Sequence, residues 1–205
     1  MLIFVTITVC FTNCYRYKLD STDWVYAASS GELNPITIEI LNLKGGCEMK
    51  VGIGQDSHAF DFENKTKKLM LAGVEFINAP PLSGNSDADV ILHALTNAIS
   101  GVTGVNILGS VSDDMCFNKS ITDSREYVKE AIKYLKSEEI VAHISFSIEC
   151  LTPKISPMIP QMKVAISELL DISVDCIGIT VTTGEGLTAF GKGLGIQTIC
   201  IITVE

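Results

Sequence analysis

Along residues 49–205 apolar positions fall into short strand-like runs that alternate with helical stripes, so this stretch reads as alternating α and β elements. Met49-Lys50-Val51-Gly52-Ile53 is the first strand, and Gly54-Gln55-Asp56-Ser57-His58 is its end. Residues 69–76 read as a strand or hairpin, and the Pro-Pro and Gly punctuation of 78–84 as a loop. Ser86 or Asp87 is placed to cap a helix. In that helix Val90, Ile91, Ala94, Leu95, Ala98 and Ile99 recur at helical spacing, with Asp89, His93 and Asn97 on the opposite, polar face. Residues 106–118 are loop-like and carry Asp113-Asp114. A second helix opens at 122–125 and buries Val128, Ala131, Ile132 and Leu135. Residues 144–150 alternate as a strand, and 151–160 form a proline-punctuated loop without regular structure. A third amphipathic helix, 161–170, turns Met162, Ala165, Ile166 and Leu169 inward. Residues 176–183 and 196–204 are the last strands, joined by a glycine-rich turn. There is no internal repeat and no run long enough to span a bilayer.

The chain has 205 residues, enough for one domain with a full core and an appended tail. A net charge of −9 argues against nonspecific nucleic-acid binding, which needs a basic footprint. Any phosphate-bearing ligand must then be held by local groups: a metal, backbone N–H groups or a few placed lysines. Seven cysteines, an odd and scattered set without a C-x-x-C, fit free thiols in a reducing compartment better than disulfides or a cysteine zinc site.

Residues 1–48 differ from the rest. The apolar run 2–11 is too short to cross a membrane and lacks the preceding basic residues of a signal peptide. Lys44-Gly45-Gly46 can be encoded by a bacterial ribosome-binding sequence shortly before the codon of Met49. One reading is therefore that 1–48 is translated upstream sequence, that the natural start is Met49, and that the protein is cytoplasmic in a bacterium. The alternative is a poorly ordered extension or a targeting segment, which would direct the protein to a plastid.

Alternate side chains of an extended chain share a face, so Asp56 and His58 point the same way, about 7 Å apart along the strand. A carboxylate beside an imidazole suits a divalent metal, above all zinc. Only three histidines exist to supply another ligand. His143 begins a strand-like run with no acidic neighbour, so His93 is the better candidate. Asp89, one turn before it, is placed to hold its second ring nitrogen or to act as a favourable charge at the helix N-terminus.

Asp56-x-His58, Ser86-Asp-x-Asp-x-x-x-His93 and Thr182-Thr-x-Glu185, in this order and spacing, resemble the 2-C-methyl-D-erythritol 2,4-cyclodiphosphate synthase family of non-mevalonate isoprenoid biosynthesis. Asp123-Ser124-Arg125, Pro153-Lys154, Ile159-Pro-Gln-Met162 and Gly191-Lys-Gly-x-Gly-Ile196 agree. The resemblance covers 49–205 as the synthase domain and leaves 1–48 as an extension. It implies an α+β fold, one mixed β-sheet with helices packed on one face, assembling as a homotrimer with active sites between subunits. It implies conversion of 4-diphosphocytidyl-2-C-methyl-D-erythritol 2-phosphate to the 2,4-cyclodiphosphate with release of CMP, a phosphorus–oxygen lyase reaction. Matched residue by residue, Asp56, His58 and His93 hold zinc, and Glu185 holds a second ion, magnesium or manganese. Thr182, Thr183, Gly184 and Glu185 hold the diphosphate, Thr183 stabilising the transition state, with Ala189 and Lys192 nearby. Cys150, Pro153, Lys154, Ile155 and Ser156 belong to the cytosine-binding loop. Asn85, Ser86, Ser110 and Ser112 line the remainder of the substrate site, with Asn85 in a catalytic position.

Three departures from the family pattern stand out. Asn85 replaces a histidine and cannot carry charge. Lys192 replaces an arginine, leaving a point charge in place of a fork. Leu108-Gly-Ser-Val-Ser112 replaces Leu-Gly-Asp-Ile-Gly, and the Phe-Pro-Asp-Thr-Asp-like stretch that follows it elsewhere is missing. Two rival readings are a zinc phosphohydrolase that uses water as nucleophile and a trimeric binding module that keeps the metal site without turnover.

Overall fold

The computed structural model describes residues 49–205; the expectations for residues 1–48 lie outside the described residues. The chain runs β1 (Lys50–Ala59), β2 (Leu69–Leu71), β3 (Val74–Phe76), α1 (Val90–Thr103), α2 (Ser110–Asp113), α3 (Ser124–Ile132), β4 (Val141–Glu149), α4 (Ile159–Leu170), β5 (Ile177–Thr182) and β6 (Gly195–Val204). The strand order β1-β6-β4-β5 makes one mixed sheet, antiparallel except for the β4–β5 pair. β2 and β3 form a separate hairpin, turned at Ala72 and Gly73, both with positive φ.

The sheet has one covered face. On β4, Ile144, Phe146 and Ile148 are buried while His143, Ser145 and Ser147 are exposed. On β6, Ile196, Thr198, Cys200 and Ile202 are buried, and Ile199 and Ile201 stay 39% and 42% exposed. The buried side faces α1, and β1 meets that helix with glycines. A Cβ on Gly54 would lie 2.0 Å from the Ala94 carbonyl oxygen, and one on Gly52 would lie 2.2 Å from that of Ala98. Only glycine permits this approach, and it brings the first turns of α1 over the end of β1, where the proposed ligands sit. The outer face keeps an apolar patch, with Val51 60% and Ile53 66% exposed beside Ile199 and Ile201.

Several local expectations are corrected. The N-cap of α1 is Asp89, not Ser86 or Asp87: its carboxylate accepts from the N–H groups of Ile91 and Leu92. Residues 106–118 are not a plain loop, because α2 continues into a π-turn at Asp114–Asn118. The 151–160 segment is not wholly irregular. A 3₁₀ turn covers Ser156–Met158 and α4 begins at Ile159, with Pro160 in the first turn, where no N–H is required. The glycine-rich turn tightens at Gly184–Gly186, where all three residues have positive φ. α1 has no exposed polar stripe through His93, which is 8% exposed because β1 and α3 pack on either side of the helix.

Candidate metal and substrate site

Three side chains converge where β1 ends under the start of α1. Asp56 Oδ2 lies 3.0 Å from His58 Nε2 and 2.9 Å from His93 Nδ1, and the two ring nitrogens are 3.3 Å apart. The outer contacts decide which of these atoms carry protons. His58 Nδ1 is 2.7 Å from the Ser83 carbonyl oxygen, which can only accept, so Nδ1 holds the hydrogen. The Ser124 hydroxyl donates its one proton to the Asp87 carboxylate and lies 2.9 Å from His93 Nε2, so Nε2–H is the donor there. When both rings are neutral, their inward nitrogens therefore present lone pairs toward a carboxylate oxygen. Three lone pairs facing one another repel unless a cation lies among them. A tetrahedral zinc ion with bonds of about 2.0 Å spaces its ligand atoms about 3.3 Å apart, close to the observed triangle. The donor set and its spacing fit a metal ion, and it is the one group of this kind among the described residues.

Without a metal the demand for a cation appears as proton affinity. Burial opposes ionisation of Asp56, but hydrogen bonds from His58 and His93 outweigh it and hold the carboxyl well below the usual carboxylate range. Burial likewise opposes charging of His58, yet the Asp56 hydrogen bond raises its pKa above that of an ordinary imidazole.

The partner of His93's second nitrogen is not Asp89. The Asp89 carboxylate is fully buried and accepts from the backbone N–H of Ala72 (2.9 Å), Gly73 (2.6 Å), Ile91 and Leu92 (3.1 Å each). It ties the β2–β3 turn to the start of α1. Burial and the nearby Asp87 push its carboxyl up, against those backbone donors. Asp89→Ala is expected to lower stability by about 2 kcal/mol or more, since several buried N–H groups lose their acceptor. Denaturant unfolding measures this. A loss of metal affinity at unchanged stability would contradict the assignment. The outer partner of His93 is Ser124, fully buried and held by Asp87 through both its hydroxyl and its backbone N–H. The Asp123-Ser124-Arg125 run was visible in the sequence, but nothing there ties it to His93.

These three side chains open into a cleft of about 280 Å³ that is also lined by Asn85, Ser86, Ser112 and Tyr127. Asp113, at the end of α2, and Cys116, in the π-turn, line it too. Ser110 does not line it, and the Ser112 hydroxyl is engaged locally with Gly109. The other expected residues lie elsewhere. Ser57, Gln197, Glu149 and Thr182 form one row across the sheet, so Thr182 stands about 14 Å from the β1 position beside His58. Thr183, Gly184, Glu185, Ala189 and Lys192 follow Thr182, and Cys150, Pro153, Lys154, Ile155 and Ser156 leave the adjacent β4. Backbone bonds from Cys150 to Thr182 and from Leu151 to Phe190 hold these two segments together. Within one chain the expected residues thus fall into two separate groups. Glu185 is exposed and adopts a left-handed φ of 49°. Beneath it Glu149 accepts from Thr188, and a Cβ on Gly184 would collide with the Glu149 carboxylate.

Residues 49–205 match the YgbB family. The chain belongs to the YgbB family. Among its relatives, a Chlamydia felis protein named 2-C-methyl-D-erythritol 2,4-cyclodiphosphate synthase is 47% identical over 155 residues, 76% of this chain and 88% of that one. A Chlamydia trachomatis protein of the same name is 46% identical, again over 76% of this chain and 87% of its own length. The structure of the Plasmodium falciparum IspF complex with CDP matches 76% of this chain and 95% of that one, with a TM-score of 0.63 and 25% identity. The bifunctional IspDF of Campylobacter jejuni matches with a TM-score of 0.68 and 28% identity over 77% of this chain, which spans 42% of that longer one. Among the described residues no helix is long and apolar enough to cross a membrane.

Proposed function

We propose that this YgbB-family chain converts 4-diphosphocytidyl-2-C-methyl-D-erythritol 2-phosphate to 2-C-methyl-D-erythritol 2,4-cyclodiphosphate with release of CMP, in isoprenoid biosynthesis. The observation that carries this reading is the close triangle of ligand atoms of Asp56, His58 and His93, in a chain 47% identical to a protein named for that reaction. In the reaction an oxygen of the 2-phosphate forms a bond to the β-phosphorus. The bond from that phosphorus to the bridging oxygen breaks, and CMP carries the bridging oxygen and its electron pair away. The nucleophile belongs to the substrate, so the protein supplies position and charge.

Asp56, His58 and His93 would hold zinc, which as a Lewis acid polarises phosphate oxygens. Asn85 and Ser86 stand at the cleft mouth, where an amide and a hydroxyl can donate to phosphate. Thr182, Thr183 and the backbone of the 182–185 turn would bind the diphosphate, and Lys192 would offer a point charge. The 150–156 loop would hold cytosine through backbone groups.

Two observations favour a homotrimer with shared sites. The two half-sites are separated across the sheet within one chain, and the outer sheet face keeps an apolar patch that a neighbouring copy would cover. A phosphohydrolase would need a positioned water in place of the substrate's phosphate, and a module without turnover would bind the same substrate unchanged. Release of CMP by zinc-loaded protein separates turnover from binding.

Glu185 beside a diphosphate is repulsive unless a second cation lies between them. Glu185→Gln is therefore expected to raise the magnesium or manganese concentration needed for half activity, with zinc content unchanged. Activity against magnesium, with zinc quantified in parallel, reads this. Superimposable curves, or zinc lost together with activity, would remove Glu185 from the second site.

A further inference from the structure

The metal triangle depends on His58 keeping its Nδ1 hydrogen directed at the Ser83 carbonyl, which makes the placement of that carbonyl a requirement of the site. Ser83 lies in an exposed loop, where carbonyl direction is not set by a helix or sheet ladder. Its N–H is held by the Ala59 carbonyl at 2.8 Å, and Leu82 bridges to Phe60. Neither contact fixes the plane of the peptide bond between Ser83 and Gly84. Glycine at 84, with a φ of 157°, leaves that peptide free of any side-chain constraint.

Lys67 supplies the missing constraint. Its ammonium donates to the carbonyl of Leu82 at 2.8 Å and to that of Gly84 at 3.1 Å, the residues on either side of Ser83. Its own backbone is fixed in turn, its N–H donating to Asn64 Oδ1 at 2.9 Å. Two charge-assisted bonds to flanking carbonyls fix the orientation of the backbone between them. Asn85 and Ser86, which line the cleft, continue directly from the same loop.

We propose that Lys67 is a positioning residue for the metal site: by pinning the Leu82 and Gly84 carbonyls it directs the Ser83 carbonyl at His58 and so holds His58 as the Nδ1–H tautomer with Nε2 facing Asp56 and His93. The inference deepens the metal-site reading and rests on it for its effect on the metal. Lys67 does not line the cleft and touches no reacting atom; it acts through the loop, beside a direct repulsion of a charged His58 ring that Lys67→Arg would keep.

The test uses the full chain, wild type and Lys67→Met, which keeps the length of the stem and removes the ammonium, together with Lys67→Arg, which restores a cationic donor. With three histidines in the sequence, ¹⁵N-histidine labelling gives a small set of ring signals. The expected result for Lys67→Met, at a pH high enough for the His58 ring to be neutral, is a metal-free spectrum in which the His58 Nδ1–H signal is lost or exchange-broadened. Its zinc affinity, by chelator competition, should fall roughly 10–100-fold, as for other outer-shell changes. Lys67→Arg should recover most of both. An unchanged His58 signal in Lys67→Met overturns the inference, as does zinc affinity equal to wild type. If wild-type protein binds no zinc, the metal reading fails by itself, and the metal-free ring spectra still decide the role of Lys67. Should Lys67→Met not fold, Lys67→Leu, which also lacks a donor, carries the same comparison.

Discussion

His93→Ala is expected to abolish nearly all zinc binding and nearly all turnover while the chain stays folded. His93 supplies one of the three inward lone pairs and is the only one carried by α1, so the triangle cannot close without it. The loss should exceed the roughly 10–100-fold typical of an outer partner such as Ser124. Folding should survive, because α1 is anchored by apolar residues on both sides and capped by Asp89, which this substitution leaves intact. Metal content by mass spectrometry, CMP release and circular dichroism measure the three consequences. Wild-type turnover by metal-free His93→Ala protein would end the assignment. Asp89→Ala is the reciprocal control, being expected to lose stability before metal.

The second large effect concerns where the half-sites meet. Neither His93→Ala nor Thr183→Ala should turn over substrate alone. In a closed ring each site would join the triangle of one chain to the 182–185 turn of its neighbour. Equimolar random mixing of the two variants then rebuilds intact sites in about one quarter of the interfaces. Mixed subunits, exchanged under mild denaturant and reassembled, should recover about a quarter of wild-type activity. Mixtures as inactive as their parents would show that both halves must come from one chain.

The sequence carried the parts of this site that obey a local period. Asp56 and His58 share a face because strands alternate, and both lie on β1, which continues to Ala59. His93 was identifiable because histidines are few. Asp89 was misread for a physical reason. A residue four positions before His93 lies one turn away on a helix, but Asp89 is the cap, and its carboxylate turns back onto backbone N–H groups of α1 and the β2–β3 turn. The true partner, Ser124, lies 31 positions on, where only packing of α3 against α1 brings it to His93. Ser83 and Lys67 were likewise out of reach, since loop carbonyls and a lysine that bonds them leave no periodic trace. The glycines of β1 were legible as a strand but not as the contact that lets α1 approach. The separation of the half-sites follows from the strand order β1-β6-β4-β5, which no single motif encodes.

In the proposed reaction the substrate's own phosphate, not water, attacks the β-phosphorus. Phosphorus-31 NMR of zinc-loaded protein with magnesium and 4-diphosphocytidyl-2-C-methyl-D-erythritol 2-phosphate tests it directly. CMP and the two coupled resonances of a cyclic diphosphate should appear together in equal amounts; CMP accompanied by a linear phosphate product, or substrate left unchanged, would rule this attack out.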